Sequence, residues 1–211
     1  MISDVMMAGI DGFTLCNAIK SNIKFSHIPV ILLTAKTNLQ AKIEGMEAGA
    51  DSYLEKPFSI KYLKACIFNL LENREKLRRI FAQSPFTETD VLALSKADEG
   101  FMAHLDRVIE ANYANSGFTM EDMAKEFNMS RASFYRKING VLDMSPNDYL
   151  RFVRLKKAAQ LFRQDAVRVN EACYLVGFNS PSYFAKCFQK QFGISPKDFL
   201  EKSLQEAGKK H

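Results

Sequence analysis

The sequence has no tryptophan, only four cysteines and three histidines, and no long hydrophobic run. Its longest apolar run, residues 28–33, includes a proline, whereas a membrane-spanning helix needs about 20 apolar residues. The cysteines form no Cys-x-x-Cys pair and have no histidine at ligand spacing, which argues against a disulfide scaffold or a zinc site. No glycine-rich nucleotide-binding motif is present. We therefore expect reduced cysteines, no membrane contact and no nucleotide-dependent enzyme.

The composition is that of an ordinary globular chain, with 47% hydrophobic and 25% charged residues among 211. The net charge of +5 is spread unevenly: residues 1–85 carry 11 basic and 8 acidic side chains, 86–100 carry 1 and 4, and 101–211 carry 17 and 12. The acidic middle stretch is typical of a linker. We predict a first domain over 1–81, an acidic linker over 82–100 and a second domain over 101–205.

Strand and helix patterns alternate in the first domain. Three short apolar strands end at Asp4, Thr34 and Lys56, and helical stretches separate them and follow the last. Alternation of this kind predicts a parallel sheet with helices on its faces, whose functional loops lie at the carboxyl ends of the strands. We therefore expect these three residues to lie close together.

Three segments of this domain resemble the receiver domain of two-component response regulators: Ser3–Gly12, Leu32–Ala35 and Gly49–Phe58. The separations of Asp4 from Thr34 and from Lys56 agree with that family. The resemblance implies that Asp4 accepts a phosphoryl group, that Thr34 and Lys56 bind it, and that Tyr53 is the aromatic residue that rotates on activation.

The resemblance also implies an incomplete, flavodoxin-like receiver with three parallel strands, lacking the first two strands. In the family, Mg²⁺ is held by the phosphoacceptor, by the backbone carbonyl two residues later, here Met6, and by an acidic pair on the first strand. Because this chain has no such strand, we expect no cofactor here and Mg²⁺ only in a complete receiver. The missing strand would leave a sheet edge open to association, and whether Asp4 accepts phosphate without it stays open.

A seven-residue spacing runs along the helix that follows the third strand. Leu63, Leu70 and Leu77 repeat at this interval, with Ile67 and Phe81 between and beyond them. Arg74 interrupts the apolar positions, and fewer than three full heptads are present. Packing on the sheet and formation of a homodimer are therefore both open for this helix.

The second domain is helical throughout and consists of two similar halves. A shift of 50 residues superposes Ser130 on Ser180, Phe134 on Phe184, and Ser145 on Ser195. Serine or threonine starts most of the predicted helices, and proline often follows at the first helical position. We predict an all-α domain of about seven short helices, containing two tandem helix-turn-helix units joined by a rigid helix.

The second helix of each unit is the one expected to enter the major groove of DNA. We predict these helices at Arg131–Gly140 and Pro181–Phe192. Apolar residues repeat at helical spacing on both helices and should face inward: Phe134, Ile138 and Val141 on the first, and Phe184, Phe188 and Phe192 on the second. The outward face that remains is basic or hydrogen-bonding and has no acidic residue.

Residues from about 103 to 201 resemble the AraC/XylS-type DNA-binding domain, above all at Val176–Pro196 and in the joining helix at Arg154–Leu161. The resemblance implies a set of base-reading residues, which are Ala132, Tyr135, Arg136, Ser182 and Lys186. Arg136 is the best candidate for a bidentate contact to guanine, and Ala132 for contact with a thymine methyl. Arg131, Lys137 and Lys190 are expected to contact phosphates, which position the protein without specifying sequence.

The sequence therefore predicts a sequence-specific transcriptional regulator of a two-component phosphorelay in the bacterial cytoplasm, with two units that read successive major grooves. Its partners would be double-stranded DNA and, in the intact protein, a histidine kinase on the same chain or a separate one. The junction of the two domains also resembles the end of hybrid two-component proteins, so we expect a fragment of a longer protein. The alternative is a phosphoacceptor and protein-interaction module whose basic helices bind a protein partner. An enzyme is the weakest interpretation.

Overall fold

The computed structural model of the chain describes residues 1–35, 39–83, 95–164 and 167–208. Side chains at 39–42, 80–83 and 206–208 are not among the described features. Most of the predicted linker therefore lies outside the described residues, as does the side chain of Phe81. Helix α3, given below, continues to Gln83, and helix α4 begins at Lys96, so ordered helix reaches into both ends of the predicted linker range.

The first part of the chain alternates strand and helix as predicted. Its elements are β1 (Ile2–Asp4), α1 (Gly12–Ser21), β2 (Ile31–Thr34), α2 (Leu39–Glu47), β3 (Ser52–Glu55) and α3 (Ile60–Gln83). The strands form one parallel sheet in the order β1-β2-β3. Asp4 pairs with Leu33, and Thr34 with Glu55, so the three strands end at the same edge, as expected for consecutive parallel strands.

A small apolar core and a buried ion-pair network hold this sheet to α1 and α3. Val5, Cys16, Val30 and Leu32 are fully or nearly fully buried. Beside them the Asp51 carboxylate accepts hydrogen bonds from Lys20 Nζ at 2.6 Å and Arg74 Nη2 at 2.8 Å, and also from the Val30 backbone amide just before β2. Because every charge in this network has an opposite partner, the network can remain buried.

Seven helices make up the second part of the described chain, in agreement with the prediction. They are α4 (Lys96–Asn112), α5 (Met120–Glu126), α6 (Arg131–Leu142), α7 (Pro146–Gln164), α8 (Val169–Leu175), α9 (Pro181–Phe192) and α10 (Pro196–Gly208). Side chains of Thr119, Ser130 and Ser180 cap α5, α6 and α9. Prolines open α7, α9 and α10, where the missing amide hydrogen costs no helical bond.

Helix α7 contributes to two separate hydrophobic cores. Its first half supplies Tyr149, Leu150 and Phe152 to a core shared with α4, α5 and α6. Its second half supplies Leu155 to Phe162 to a core shared with α8, α9 and α10. One continuous helix therefore fixes the relative positions of the two helical units, as the sequence predicted.

Candidate nucleic-acid interface and phosphoacceptor site

The helices α5 and α6 form the first helix-turn-helix unit, and α8 and α9 form the second. A capping box between Thr119 and Asp122 starts α5, and Asn128 in the first turn has a φ of +49°. The second turn instead contains Gly177, whose φ is +80°. A Cβ at Gly177 would overlap the carbonyl oxygen of Tyr113, so this turn depends on glycine for both conformation and space.

We expect Gly177→Ala to lower the free energy of unfolding by about 2–5 kcal/mol, because left-handed backbone strain and a steric overlap add together. The matched control is Gly193→Ala, since Gly193 has a φ of +72° but open space around it. That variant should lose only about 1–2 kcal/mol, for strain alone. Urea unfolding followed by far-ultraviolet circular dichroism measures both values. Equal losses would show that the contact with Tyr113 is unimportant.

Helices α6 and α9, the second helices of the two units, are called the first and second reading helix because they are the ones predicted to enter the major groove. Helix α6 has its apolar residues inside and its predicted base-reading residues outside. Phe134, Ile138 and Val141 are buried. The predicted base-reading residues of this helix are all exposed, and they are Ala132, Tyr135 and Arg136. Arg136 Nε makes only a 3.3 Å hydrogen bond to the Ala132 carbonyl of its own helix. The guanidinium group is therefore available to a ligand.

The second reading helix, α9, repeats this arrangement. Phe184 and Phe188 are fully buried, whereas Ser182 and Lys186 are exposed. Between them, Tyr183 is half exposed, and its hydroxyl accepts a hydrogen bond of 3.1 Å from Arg151 Nη1 on α7. The sequence did not single out Arg151, because its partner is 32 residues away along the chain.

A surface groove of about 720 Å³ separates the two reading helices. Residues from both units and from α7 line it, including Tyr135, Asn139, Arg151, Lys186 and Lys190. Arg151 also forms an ion pair with Asp148 at the start of α7. Of the five predicted base-reading residues, Tyr135 and Lys186 line this groove.

The structure separates the three predicted phosphate contacts into two groups. Arg131 and Lys190 are exposed, as a phosphate contact requires. Arg131 Nη1 lies 3.0 Å from Glu121 Oε1 on α5, and a solvent-exposed pair of this kind is weak enough to exchange for a phosphate. Lys137 is different, because its side chain is completely buried.

The prediction that Lys137 contacts a phosphate is therefore wrong for this arrangement of the chain. Lys137 Nζ forms an ion pair with Asp98 on α4, donates a hydrogen bond of 2.7 Å to Ser26 Oγ, and lies 5.2 Å from the centre of the Phe101 ring. Burial lowers the pKa of the Lys137 ammonium, and the hydrogen bond to Asp98 opposes that effect. Lys137 is three residues after the buried Phe134, so it belongs to the inward face of α6.

The predicted phosphoacceptor Asp4 lies at the end of β1, next to Lys56. The Lys56 ammonium forms an ion pair with Asp4 Oδ2, and the Met6 backbone amide donates to Asp4 Oδ1 at 3.2 Å. The hydrogen bond from Lys56 is the main cause that lowers the pKa of the Asp4 carboxyl, partial burial opposes it, and the Met6 amide assists it. The carboxylate is about one-third exposed, so an incoming group can reach it.

Thr34 and Tyr53 are placed near this edge but are less accessible. Thr34 is fully buried at the end of β2, and its carbonyl accepts a 2.7 Å hydrogen bond from the Lys56 amide. The Tyr53 hydroxyl is buried and has no hydrogen-bond partner among the described residues. The ring itself lies close to Gly45, where a Cβ would press against it. Rotation of Tyr53 stays a prediction.

Asp4 and the Met6 carbonyl do not form a complete magnesium site by themselves. In the described ranges, no three histidine, cysteine, aspartate or glutamate side chains converge as a metal site would require. These residues therefore do not fit a bound Mg²⁺ unaided.

The heptad-like face of α3 is largely used inside the chain. Arg74 is buried and bonds both Asp51 and the His27 carbonyl, and Leu77 packs against the first helical core. Leu70 and Ile67 border an apolar cavity of about 380 Å³ beside β1. Of the two alternatives for this helix, packing within the chain accounts for its central residues.

Two smaller observations concern membranes and cysteines. None of the helices in the described part of the chain combines the length and the apolar character that crossing a bilayer requires. All four cysteines carry free thiols, and Cys16 and Cys173 are buried among apolar side chains. Burial raises the pKa of both buried thiols.

Comparison with protein families identifies two domains in the chain. The family model described as a response regulator receiver domain matches residues 1–68. The family model described as a helix-turn-helix domain matches residues 123–202. The first domain therefore covers the three-stranded sheet, and the second covers both reading helices.

Among curated proteins, Histidine kinase P4 from Formosa agariphila is 39% identical over 94% of this chain and 14% of its own length. The DNA-binding dual master transcriptional regulator RpaA from Synechocystis is 36% identical over 40% of this chain and 37% of its own length. The chain thus spans well under half of the length of either relative. Among solved structures, the C-terminal domain of the response regulator YesN from Fusobacterium nucleatum is 25% identical, with a TM-score of 0.45, over 48% of this chain and 98% of that one.

Proposed function

Because the chain joins a response regulator receiver domain to an AraC-type helix-turn-helix domain, we propose that it regulates transcription in a two-component system by binding specific DNA sequences. Neither domain is an enzyme. The observation that carries the proposal is the pair of exposed reading faces on α6 and α9. Neither helix contains an acidic residue, and four of their five basic residues are exposed, Lys137 being the buried one. This charge pattern suits the phosphates and base edges of DNA.

The two units would read successive major grooves on one face of the DNA. Helix α7 supports this arrangement because it belongs to both hydrophobic cores and so holds the reading helices in a fixed relation. Two half-elements are then expected about 34 Å apart, which is one turn of B-DNA. Ala132, Tyr135 and Arg136 would read bases in one half-element, and Ser182 and Lys186 in the other. Arg131 and Lys190 would contact phosphates.

The receiver would couple this DNA-binding activity to a phosphoryl signal. In the intact protein a phosphohistidine of the kinase would pass its phosphoryl group to an Asp4 carboxylate oxygen, with Lys56 placed to offset the negative charge. The Formosa relative is named a histidine kinase, which supports a donor located on the same longer chain. Mg²⁺ would require a complete receiver, and formation of a homodimer stays a prediction. With DNA as its target, the chain would act in the bacterial cytoplasm.

The proposal is tested by selecting preferred sites from random double-stranded DNA with the whole chain at two salt concentrations. We expect enrichment of a motif with two half-elements about one helical turn apart, and weaker binding at the higher salt because phosphate contacts release counterions. If no motif is enriched at either salt, sequence-specific reading is wrong and the basic helices are better explained as a surface for a protein partner.

A further inference from the structure

The receiver domain contacts the helical domain at the C-terminal end of α6. Ser26, in the connection between α1 and β2, is fully buried. Its hydroxyl donates to Asp98 Oδ1 at 2.9 Å and accepts from Lys137 Nζ at 2.7 Å. A residue of the receiver is thus part of a buried polar cluster whose other members belong to α4 and α6.

Helix α3 of the receiver adds two hydrogen bonds to the same end of α6. Arg78 donates from Nη2 to the Gly140 carbonyl at 2.5 Å and from Nε to the Val141 carbonyl at 3.2 Å. The last carbonyls of a helix have no partner in the helix itself and carry its partial negative charge. The Arg78 guanidinium therefore donates hydrogen bonds to the carbonyls at the end of α6, and it offsets the partial negative charge there.

The imidazole of His27 lies directly against Gly140. A Cβ at Gly140 would overlap three atoms of the His27 ring, so the contact requires glycine at this position of α6. The ring is mostly buried, and its Nδ1 has no hydrogen-bond partner in the described part of the chain. Close packing and an unbonded nitrogen both suit the neutral form of the ring.

The charges around His27 disfavour a positive imidazole. Lys137 faces it from α6, and Arg74 and Arg78 face it from α3, while Asp98 on α4 is the one acidic group in this set. Burial is the largest cause, followed by Lys137, and together with the two arginines it lowers the pKa of His27 to about 4, with Asp98 in opposition. A free, exposed histidine has a pKa of about 6.5.

We propose that Ser26, His27 and Arg78 form a docking surface through which the receiver holds the C-terminal end of the first reading helix, and that protonation of His27 releases this contact. The docked receiver leaves Ala132, Tyr135 and Arg136 exposed, so it restrains α6 without covering its reading face. This proposal goes beyond DNA binding and holds or fails independently of it.

The sign of the pH effect follows from linkage. Because docking lowers the pKa of His27, the docked form binds fewer protons than the released form. The contribution of neutral His27 to docking is then largely present above about pH 6.5, and it is lost as the pH falls toward 4. Between pH 8 and pH 5.5, the docking equilibrium constant should fall roughly tenfold for pKa values of about 4 docked and 6.5 released.

Nitrogen-15 relaxation of the whole chain measures docking without any DNA. Docked domains tumble as one body and share one rotational correlation time, whereas released domains tumble separately and faster. We expect a single correlation time at pH 8 and a shift toward two shorter ones at pH 5.5. In His27→Gln the shift with pH should disappear, while the unrelated His104 remains to report any other effect of acid. A wild-type chain that tumbles identically at both pH values would overturn the protonation step.

The steric part of the contact is tested by Gly140→Ala, with Gly100→Ala as the matched control. Both glycines lie within helices, but a Cβ at Gly100 meets no atom within 4 Å. At pH 8 we expect Gly140→Ala to give two different correlation times, one for each domain. Gly100→Ala should keep the single correlation time of the docked chain. Adding His27→Ala to Gly140→Ala removes the ring that the new Cβ strikes and should move the correlation times back together. Continued joint tumbling of Gly140→Ala, with helicity intact, would overturn the docking surface.

Discussion

Replacing Lys137 with methionine is expected to lower the free energy of unfolding by about 3–5 kcal/mol, the usual cost of removing one partner from a buried ion pair. Lys137 and Asp98 are both completely shielded from solvent. Methionine fills a similar volume but leaves the Asp98 carboxylate with only the hydroxyls of Ser26 and Ser95 as side-chain hydrogen-bond donors. Urea unfolding monitored by circular dichroism measures the loss.

Two further variants separate the charge effect from a simple packing effect. Lys186→Met removes an exposed lysine from the other reading helix and should change stability by no more than about 0.5 kcal/mol. The double variant Lys137→Met with Asp98→Leu removes both buried charges, and we expect it to recover most of the lost stability because an apolar pair needs no compensation. A double variant as unstable as the two single losses combined would show that the two charges do not interact.

Arg136→Ala is expected to weaken binding to the selected DNA site by about 1–3 kcal/mol, or roughly 5- to 150-fold, if Arg136 makes a bidentate contact to guanine. The loss should be confined to the half-element read by α6, so selection with the variant should no longer enrich one base there. Arg136 is exposed, so the fold should be unaffected. Electrophoretic mobility shifts with the selected site and with single-base variants of it measure the effect.

Lys190→Ala is the matched variant for a phosphate contact. It should weaken binding to all sequences alike and reduce the slope of log affinity against log salt by about 1. Lys64→Ala, an exposed lysine near the start of the receiver helix α3, removes one positive charge outside the helical domain and should change neither quantity. If Arg136→Ala behaved like Lys190→Ala, Arg136 would be a phosphate contact and would not read a base.

Local patterns in the sequence were sufficient to predict most of the helical domain. Apolar residues at helical spacing predict the buried faces of α6 and α9, because burial follows the helical repeat. Serine caps and prolines at the first helical position located the helix starts, because they act within three or four residues. In the receiver, the alternation of strand and helix predicted the parallel sheet and the meeting of Asp4 with Lys56 at one edge.

The same patterns could not predict the contacts between the two domains. Lys137 is predicted to contact a phosphate, although its spacing from Phe134 places it on the inward face of α6. The Lys137 ammonium can be buried because it contacts Asp98, 39 residues away, and Ser26, 111 residues away. Similarly, nothing near Gly140 in the sequence indicates that His27 packs against it. Contacts between distant segments depend on tertiary packing, which single-residue propensities do not encode.

Because helix α7 belongs to both helix-turn-helix units, its length determines the distance between the two reading helices. One residue inserted in α7 would advance the second unit by about 1.5 Å and turn it by about 100°, whereas one base pair turns DNA by only about 35°. An insertion of one residue in this helix therefore does not match a change of one base pair in the target. In the proposed arrangement, the distance between half-elements therefore stays constant as the protein evolves. New DNA targets arise by changes of side chains on α6 and α9.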